Sequence, residues 1–310
     1  MKKTYSVHYY DMYDKDVFIN TRIFYKRAGY KYIGFNKLKA DLIVVLRGDP
    51  QKIMHYNGTV HIYDYVKISI VNWKDYFPDA TKIFLISLSQ SKESLGVFNV
   101  FSYLPVIPEF WHKIARNPKS RIPISHIGSY KPIQNDSITN FFVQLLVNKN
   151  VRVFGNNWHV VGIETHGVSH YEANLKFAMS DLTLGIMYPY QRGKTLSSRA
   201  WHGPIHGCMI LSSEEERISG LTIPGNHYTI NNNWEESIDY HLSNRCREQI
   251  RNEATEFWEN ETIKLASVLN LVLTTNSKYT ELELIIIELI LLPLKKRGKL
   301  LLYKFWKAFI

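Results

Sequence analysis

The chain has 310 residues, of which 45% are hydrophobic, 21% charged and 14% aromatic. This length allows two domains of ordinary size, and the composition excludes a disordered chain. The net charge of +10 favours an anionic partner, such as a phosphorylated substrate, an anionic membrane or a nucleic acid. The two cysteines lie in unrelated contexts, and the first residues show no secretory signal, so we expect reduced thiols in a cytoplasmic protein.

The first hundred residues alternate short apolar runs with turn signals, a pattern typical of a parallel sheet of Rossmann type. The predicted strands are residues 4–9, 32–35, 42–46, 60–63 and 82–87, and the predicted helices are residues 16–28 and 69–76. No glycine-rich dinucleotide fingerprint follows any of these strands, so NAD binding is not indicated. A basic, proline-rich segment then predicts a domain boundary at about residue 120, which gives an N-terminal domain of residues 1–120.

The α/β alternation starts again after this boundary. The predicted strands are residues 124–127, 151–154, 181–187, 208–211 and 227–230, and the predicted helices are residues 136–148, 170–180, 198–206, 233–243 and 245–273. A second domain over residues 121–275 follows. We therefore predict an α/β protein with two Rossmann-like domains that face a cleft.

Residues 192–213 are the most informative segment, because a loop rich in cations and hydroxyl groups enters a short helix there. Its hydroxyl and guanidinium groups belong to Thr195, Ser197, Ser198 and Arg199. Free backbone N–H groups, a positive dipole end and a guanidinium together suit the phosphates of a nucleoside diphosphate. The alternative is an ordinary capped helix with Ser197 or Ser198 as its N-cap.

Five segments occur in the order found in one enzyme family. They are residues 125–132, 151–158, 171–186, 195–211 and 223–238. The region from about residue 122 to 270 resembles the C-terminal domain of GT-B glycosyltransferases, particularly the group 1 and spore-protein CgeB-like subset. The resemblance implies that the second domain holds a nucleotide-sugar donor and that the chemistry occurs in the cleft.

The resemblance also assigns donor-binding residues. It places Gly128 and Ser129 near the diphosphate and Gly155 and Asn156 near the base or ribose. Phosphate and sugar contacts are assigned to Thr195, Ser197, Ser198 and Arg199. Where the family often has a ribose-binding glutamate, this chain has Trp201 and His202. His202 is expected either to contact the donor or to line a packed face, since His206 follows one helical turn later.

We expect no bound metal and no cofactor. No carboxylate or cysteine stands at a diagnostic spacing from the histidines. The resemblance implies a metal-independent transferase, in which the helix dipole and cations neutralise the leaving diphosphate.

The candidate catalytic residues are Asp11 and His8, which lie at the end of the first predicted strand and in the loop after it. Loops after strand carboxyl ends face the crevice of an open α/β sheet, and Asp11 is the first choice of general base. An enzyme that retains the anomeric configuration needs no protein base, and these residues would then only bind the acceptor.

The last segment, residues 276–310, is predicted to be an amphipathic, basic tail. Its apolar run at residues 282–293 is too short to span a bilayer, and lysines alternate with apolar residues after it. This pattern predicts that residues 282–310 bind the anionic inner face of a cell membrane. The alternative is a helix that crosses back and packs on the first domain.

The sequence thus predicts a cytoplasmic, peripherally membrane-associated hexosyltransferase. It would move a sugar from a nucleotide-sugar to a glycan or lipid-linked glycan in surface-polysaccharide biosynthesis, and nucleic acid is not expected as a partner. The alternative is a non-catalytic GT-B-like subunit that binds nucleotide or scaffolds a glycan-assembly complex.

Overall fold

The protein is described from a computed structural model, which covers residues 2–8, 15–46, 52–64, 72–88, 96–115, 120–132, 136–186, 197–212, 226–228, 234–244 and 246–274. Within these ranges the chain forms two parallel β-sheets flanked by helices. Three sequence predictions lie outside them: Asp11, Thr195 and the tail 276–310.

The first sheet consists of six parallel strands. They are β1 (Thr4–His8), β2 (Lys31–Phe35), β3 (Leu42–Leu46), β4 (Thr59–Tyr63), β5 (Lys82–Ser87) and β6 (Val97–Phe101), and the helices of this half are α1 (Lys15–Arg27), α2 (Trp73–Tyr76) and α3 (Pro108–Ala115). The strand order is β2-β1-β3-β4-β5-β6. All five residues of β3 are buried, as expected for a central strand covered on both faces.

The second sheet consists of five parallel strands. They are β7 (Ile122–Ile127), β8 (Arg152–Phe154), β9 (Ser180–Gly185), β10 (Met209–Ser212) and β11 (Asn226–Tyr228), with helices α4 (Ser137–Asn148), α5 (His170–Met179), α6 (Arg199–Ile205), α7 (Trp234–Asn244) and α8 (Arg247–Val268). The strand order is β11-β10-β9-β7-β8. Side-chain caps set two helix starts: Asp136 accepts a bond from the Thr139 N–H, and Ser169 and Glu172 form a capping box.

The predicted α/β fold class is confirmed: each predicted strand and helix overlaps an observed one. Strand β6 was missed by the sequence analysis. It is the edge strand beside β5, and only Val100 of its five residues is buried, although four of the five are apolar. The predicted domain boundary at residue 120 falls between β6, the last strand of the first sheet, and β7, the first strand of the second.

Helix α8 joins the two halves. At its start, Arg247 donates to the carbonyl oxygens of Ala178 and His206, at 2.8 and 2.9 Å from Nη2. Further along, the Thr262 hydroxyl donates to the Val106 carbonyl at 2.9 Å. The sequence analysis assigned all of α8 to the second domain and considered a crossing-back helix only for the tail. In the structure, α8 itself crosses to the first half.

A buried core between the halves contains residues of both. It unites Tyr5, Val7 and Phe24 of the first half with Trp201 of α6 and Trp258 of α8. The two sheets are therefore held together by close-packed aromatic and aliphatic side chains.

Candidate functional site

The strand order reverses at β7 in the second sheet, with β8 on one side and β9 on the other. In open α/β sheets, ligands bind in the crevice at the carboxyl ends of the strands, at such a switch point. Loop 128–130 follows β7 and residues 155–157 follow β8. Four predicted donor-binding residues, Gly128, Ser129, Gly155 and Asn156, lie in these two loops.

Arg199 lies across this switch point. Its Nη2 donates to the Ile186 carbonyl at 2.7 Å, and Nη1 lies 3.4 Å from the Ile127 carbonyl. The Ile186 carbonyl follows β9, and the Ile127 carbonyl is at the end of β7. The guanidinium therefore bridges the carboxyl ends of the neighbouring strands β9 and β7, where it supplies a fixed positive charge.

Two glycines make room for this guanidinium. A Cβ added to Gly128 would lie 2.8 Å from Arg199 Nη1, and one added to Gly185 would lie 3.3 Å from Arg199 Nε. Gly128 matches a predicted position, whereas Gly185 was missed by the sequence analysis. A glycine as the last residue of a strand, directly after Leu184, was the available signal.

The loops after β7 and β8 are in direct contact at Gly155. Its φ is +152°, and an added Cβ would lie 2.0 Å from the Gly128 carbonyl oxygen. The same oxygen accepts a hydrogen bond from Trp158 Nε1 at 2.7 Å, and the Ser129 hydroxyl accepts one from the Asn156 N–H at 3.3 Å. The side chains of Ser129 and Asn156 are exposed at this edge. Gly155 thus permits the close approach that brings these polar groups together.

His126, near the end of β7, was missed by the sequence analysis. Its Nδ1–H donates to the Leu184 carbonyl at 2.8 Å. Burial, with a smaller effect of the Arg199 charge, lowers the pKa of His126 to about 3, so the ring is neutral at physiological pH. Its buried Nε2, on the other side of the ring, lies against the Gly128 backbone. The signal was a histidine one residue before the end of a mostly apolar strand.

The serines before α6 occupy different positions. The Ser197 hydroxyl accepts a hydrogen bond from the Arg199 N–H at 3.3 Å. Ser198 immediately precedes the helix, is exposed, and makes no side-chain cap bond. Ser198 thus occupies the N-cap position without a side-chain cap bond, whereas the Ser197 hydroxyl satisfies one N–H of the first turn, as in the alternative of a capped helix.

His202 lies inside the protein rather than at the crevice. It is 4% exposed, its ring stacks on Trp201, and Nδ1 lies 2.6 Å from Asn174 Oδ1. The same Asn174 oxygen lies 3.3 Å from His206 Nε2. This environment agrees with the alternative given in the sequence analysis, in which His202 lines a packed face instead of contacting the donor. The sequence did not reveal Asn174, because it is a lone amide on α5.

The first sheet has its own switch point at β1, which lies between β2 and β3. His8 is the last residue of β1 and pairs with Val45 of β3. It is buried, and burial together with the charge of Lys52 lowers the pKa of His8 to about 4. His8, which was predicted to be catalytic, thus lies at the carboxyl end of an inner strand, and its ring is neutral at physiological pH. Asp11 lies outside the described residues.

The described residues hold neither a cluster of metal ligands nor a membrane-spanning helix. None of their His, Cys, Asp and Glu side chains form a group of three or more suited to a metal ion. None of their helices combines the length and apolarity needed to cross a bilayer.

Two parallel α/β units are the arrangement expected from the resemblance to GT-B glycosyltransferases. No protein-family model and no curated protein matches the chain. Solved structures do match. AviGT4, a glycosyltransferase involved in avilamycin A biosynthesis, is 9% identical with a TM-score of 0.56, over 86% of this chain and 96% of that chain.

An alpha-glucosyltransferase also matches in two complexes. The complex with UDP-glucose and DNA containing an abasic site is 10% identical with a TM-score of 0.52, over 86% of this chain and 99% of that one. The complex with UDP and a mismatched 13-mer DNA is 9% identical with a TM-score of 0.55, over 84% and 94%. These similarities establish the GT-B fold, whereas the CgeB-like subset remains a prediction.

Proposed function

We propose that this protein is a glycosyltransferase that moves a sugar, a hexose, from a nucleotide-sugar donor to a glycan or lipid-linked glycan of a surface polysaccharide. The observation that carries the proposal is the position of Arg199 at the β7/β9 switch point of a GT-B fold. The two solved neighbours described above as glycosyltransferases, one of them bound to UDP-glucose, support the class of reaction.

In this proposal the donor diphosphate binds at the carboxyl ends of β7 and β9. The Arg199 guanidinium attracts the phosphates, and Gly128 leaves room for that guanidinium beside the backbone. Hydroxyl groups of Ser129, Ser197, Ser198 and Thr195 supply neutral hydrogen bonds. Asn156, beside Gly155, faces the ribose or base. His202 is left out of the site because it bonds Asn174 in the interior.

The reaction breaks the bond between the anomeric carbon and the diphosphate oxygen and forms a bond to an acceptor hydroxyl oxygen. The charge of Arg199 stabilises the leaving diphosphate, so no metal ion is invoked. In an inverting transfer, the hydroxyl proton passes to a base, for which we propose Asp11 with His8 beside the acceptor. The low pKa of His8 makes it a weak base but leaves it neutral and able to accept a hydrogen bond.

Nucleotide binding tests the donor site. Affinity for UDP, GDP and CDP is measured by calorimetry on the full chain and on Arg199→Ala. The loss of a charge-assisted contact is worth about 1.5–3 kcal/mol, so we expect affinity to fall by about 10- to 150-fold. Arg199→Gln keeps an amide donor for the Ile186 carbonyl but removes the charge, and it should weaken binding by a similar factor.

Arg152→Ala is the matched control, because Arg152 is exposed at the amino end of β8, away from the switch point. Thermal unfolding of each variant shows whether the fold persists. Unchanged nucleotide affinity in a folded Arg199 variant would remove Arg199 from the site.

Turnover separates an enzyme from the non-catalytic alternative. Sugar release or transfer from the bound donor is assayed in the parent, Asp11→Asn and His8→Gln. A positioned base contributes about 100- to 10,000-fold, so Asp11→Asn should lower turnover by that factor with donor affinity unchanged. Nucleotide binding without any turnover, over a wide range of acceptors, would favour the scaffolding subunit.

A further inference from the structure

The edge of the first sheet carries an exposed patch, the β2 patch, formed by Phe35, Lys37, Leu38 and Lys39. Phe35 is 44% exposed and Leu38 is 50% exposed, and both lysines are exposed. Phe35 ends strand β2, which lies at the edge beside β1. Two large apolar side chains and two cations therefore reach solvent within five consecutive residues.

A β-bulge sets the direction of Phe35. Tyr5 of β1 pairs with Tyr32, but Val7 pairs with Phe35, so β2 holds one extra residue between these pairs. Phe35 therefore turns to the same face as Tyr32, and its ring stacks on Phe18 of α1 at 5.4 Å between centroids. One face of the Phe35 ring is thus supported by α1, which fixes its orientation.

The segment after Phe35 is held in place by backbone bonds. The Asn36 N–H donates to the Val7 carbonyl at 3.0 Å, and the Lys37 N–H donates to the Ser6 hydroxyl at 2.8 Å. A turn follows, in which the Ala40 N–H donates to the Lys37 carbonyl at 3.3 Å. Leu38 and Lys39 therefore project from an ordered turn rather than from an unstructured loop.

The surroundings of the patch are cationic. Lys37 and Lys39 are exposed in the patch itself, and Arg22 of α1 lies beside it, whereas Arg27 of the same helix is 8% exposed and paired with Glu259. Asp41, two residues after Lys39, accepts bonds from the backbone and hydroxyl of Thr4 at the amino end of β1; these bonds lower its pKa, so it stays negatively charged there. Arg22 lies over the Tyr32 ring, 4.8 Å from its centroid. Cations around exposed aromatic and aliphatic side chains are typical of surfaces that bind anionic bilayers.

We propose that the β2 patch docks on an anionic phospholipid surface. Phe35 and Leu38 enter the interface, while Lys37 and Lys39 contact lipid phosphates. The site is separate from the predicted anchor at residues 282–310. Because Phe35 lies beside Val7 at the carboxyl end of β1, docking places the edge that carries His8 near the membrane. If the proposed function holds, this orientation favours an acceptor that is itself carried by a lipid.

Vesicle binding by the full chain tests whether the two lysines of the β2 patch contact lipid phosphates. Binding is measured by co-sedimentation with vesicles of phosphatidylcholine containing about one quarter phosphatidylglycerol, and with phosphatidylcholine alone. Each lysine near an anionic surface contributes about fivefold, or about 1 kcal/mol, so Lys37→Glu/Lys39→Glu should weaken binding at least about 20-fold. The matched control is Lys82→Glu/Arg152→Glu, which makes the same charge change at exposed positions on β5 and β8.

The apolar part has its own pair of variants. Phe35→Ser/Leu38→Ser should weaken vesicle binding several-fold, whereas Phe141→Ser/Val147→Ser on α4, where the parent residues are 45% and 60% exposed, should not. Circular dichroism checks the fold. If Phe35→Ser/Leu38→Ser does not fold, the vesicle assay uses the single variant Leu38→Ser instead, because Leu38 is half-exposed on the turn.

Three results would overturn the proposal. Equal loss in the patch and control charge variants would mean that only net charge or another segment binds the membrane. Full vesicle binding by both patch variants would exclude the site. Binding of heparin or DNA through Lys37 and Lys39, without binding of anionic vesicles, would reassign the patch to a soluble polyanion. Nucleotide affinity, measured in the same variants, should stay at the parental value, so failure here is distinguishable from failure of the proposed function.

Discussion

The contact between the loops after β7 and β8 gives a quantitative test of the candidate site. In Gly155→Ala, the new Cβ would lie 2.0 Å from the Gly128 carbonyl oxygen and 2.5 Å from its carbon, so the two loops must separate by about 1 Å. The backbone φ of +152° is also unfavourable for alanine. Overpacking costs about 1–3 kcal/mol and a strained φ about 1–3 kcal/mol, so we expect a loss of about 2–6 kcal/mol.

Separation of the loops also weakens the hydrogen bonds from Trp158 Nε1 to the Gly128 carbonyl and from the Gly128 N–H to the Phe154 carbonyl. We therefore expect nucleotide affinity to fall together with stability. The assay is thermal and urea unfolding with nucleotide titration, and the melting temperature should drop by roughly 3–9 °C.

Gly162→Ala is the control for backbone strain alone. Gly162 has a φ of +74°, and an added Cβ there would meet nothing within 4 Å, so the cost should be about 1 kcal/mol. A Gly155→Ala protein as stable as Gly162→Ala, with parental nucleotide affinity, would refute the close approach of the two loops.

Two further predictions concern stability. Burial lowers the pKa of both His61 and His126 to about 3, below the ordinary value of 6.5, so the unfolded chain binds more protons between pH 3 and 6.5. Each histidine should therefore lower the free energy of unfolding by about 1.4 kcal/mol per pH unit as the pH falls below 6.5. In urea titrations, the free energy of unfolding of His61→Gln should fall less steeply with pH than that of the parent. A parental free energy of unfolding that does not change from pH 6.5 to 5 would contradict this. Thr262→Val removes the hydroxyl that bonds both the N–H and the carbonyl of Val106, and it should lower the free energy of unfolding in urea by about 1–3 kcal/mol. Thr262→Ser keeps the hydroxyl, so its stability should stay near that of the parent. An equal loss of stability in both variants would mean that packing, and not the hydrogen bonds, is responsible.

The places of several candidate site residues in the fold could be predicted from sequence, because local geometry suffices for them. Glycines and small polar residues directly after β7 and β8 have to lie at one edge of a parallel sheet, whatever the rest of the chain does. Arg199 was expected to contact phosphate from a helix start. Its guanidinium also bonds the carbonyls of Ile127 and Ile186, and these bonds depend on which strands are neighbours, which the local sequence does not reveal.

The positions of two histidines could not be predicted from the local sequence. His126 and His202 are both buried, one under the loop at the switch point and the other between α5 and α6. Sequence spacing could not distinguish them, because the partner of each ring is a carbonyl or amide far along the chain. Only the packing of α6 and β7 against their neighbours decides which ring lies near the crevice.

The sequence by itself determined the alternation of strands and helices and therefore the α/β class, because apolar periodicity and caps act over a few residues. It also determined which loops carry glycines and hydroxyl groups. The tertiary structure decided strand order, the bridge made by Arg199, and the crossing of α8 to the first half. These depend on contacts such as Thr262 with Val106, more than a hundred residues apart, whose formation is set by how whole surfaces pack rather than by any local pattern.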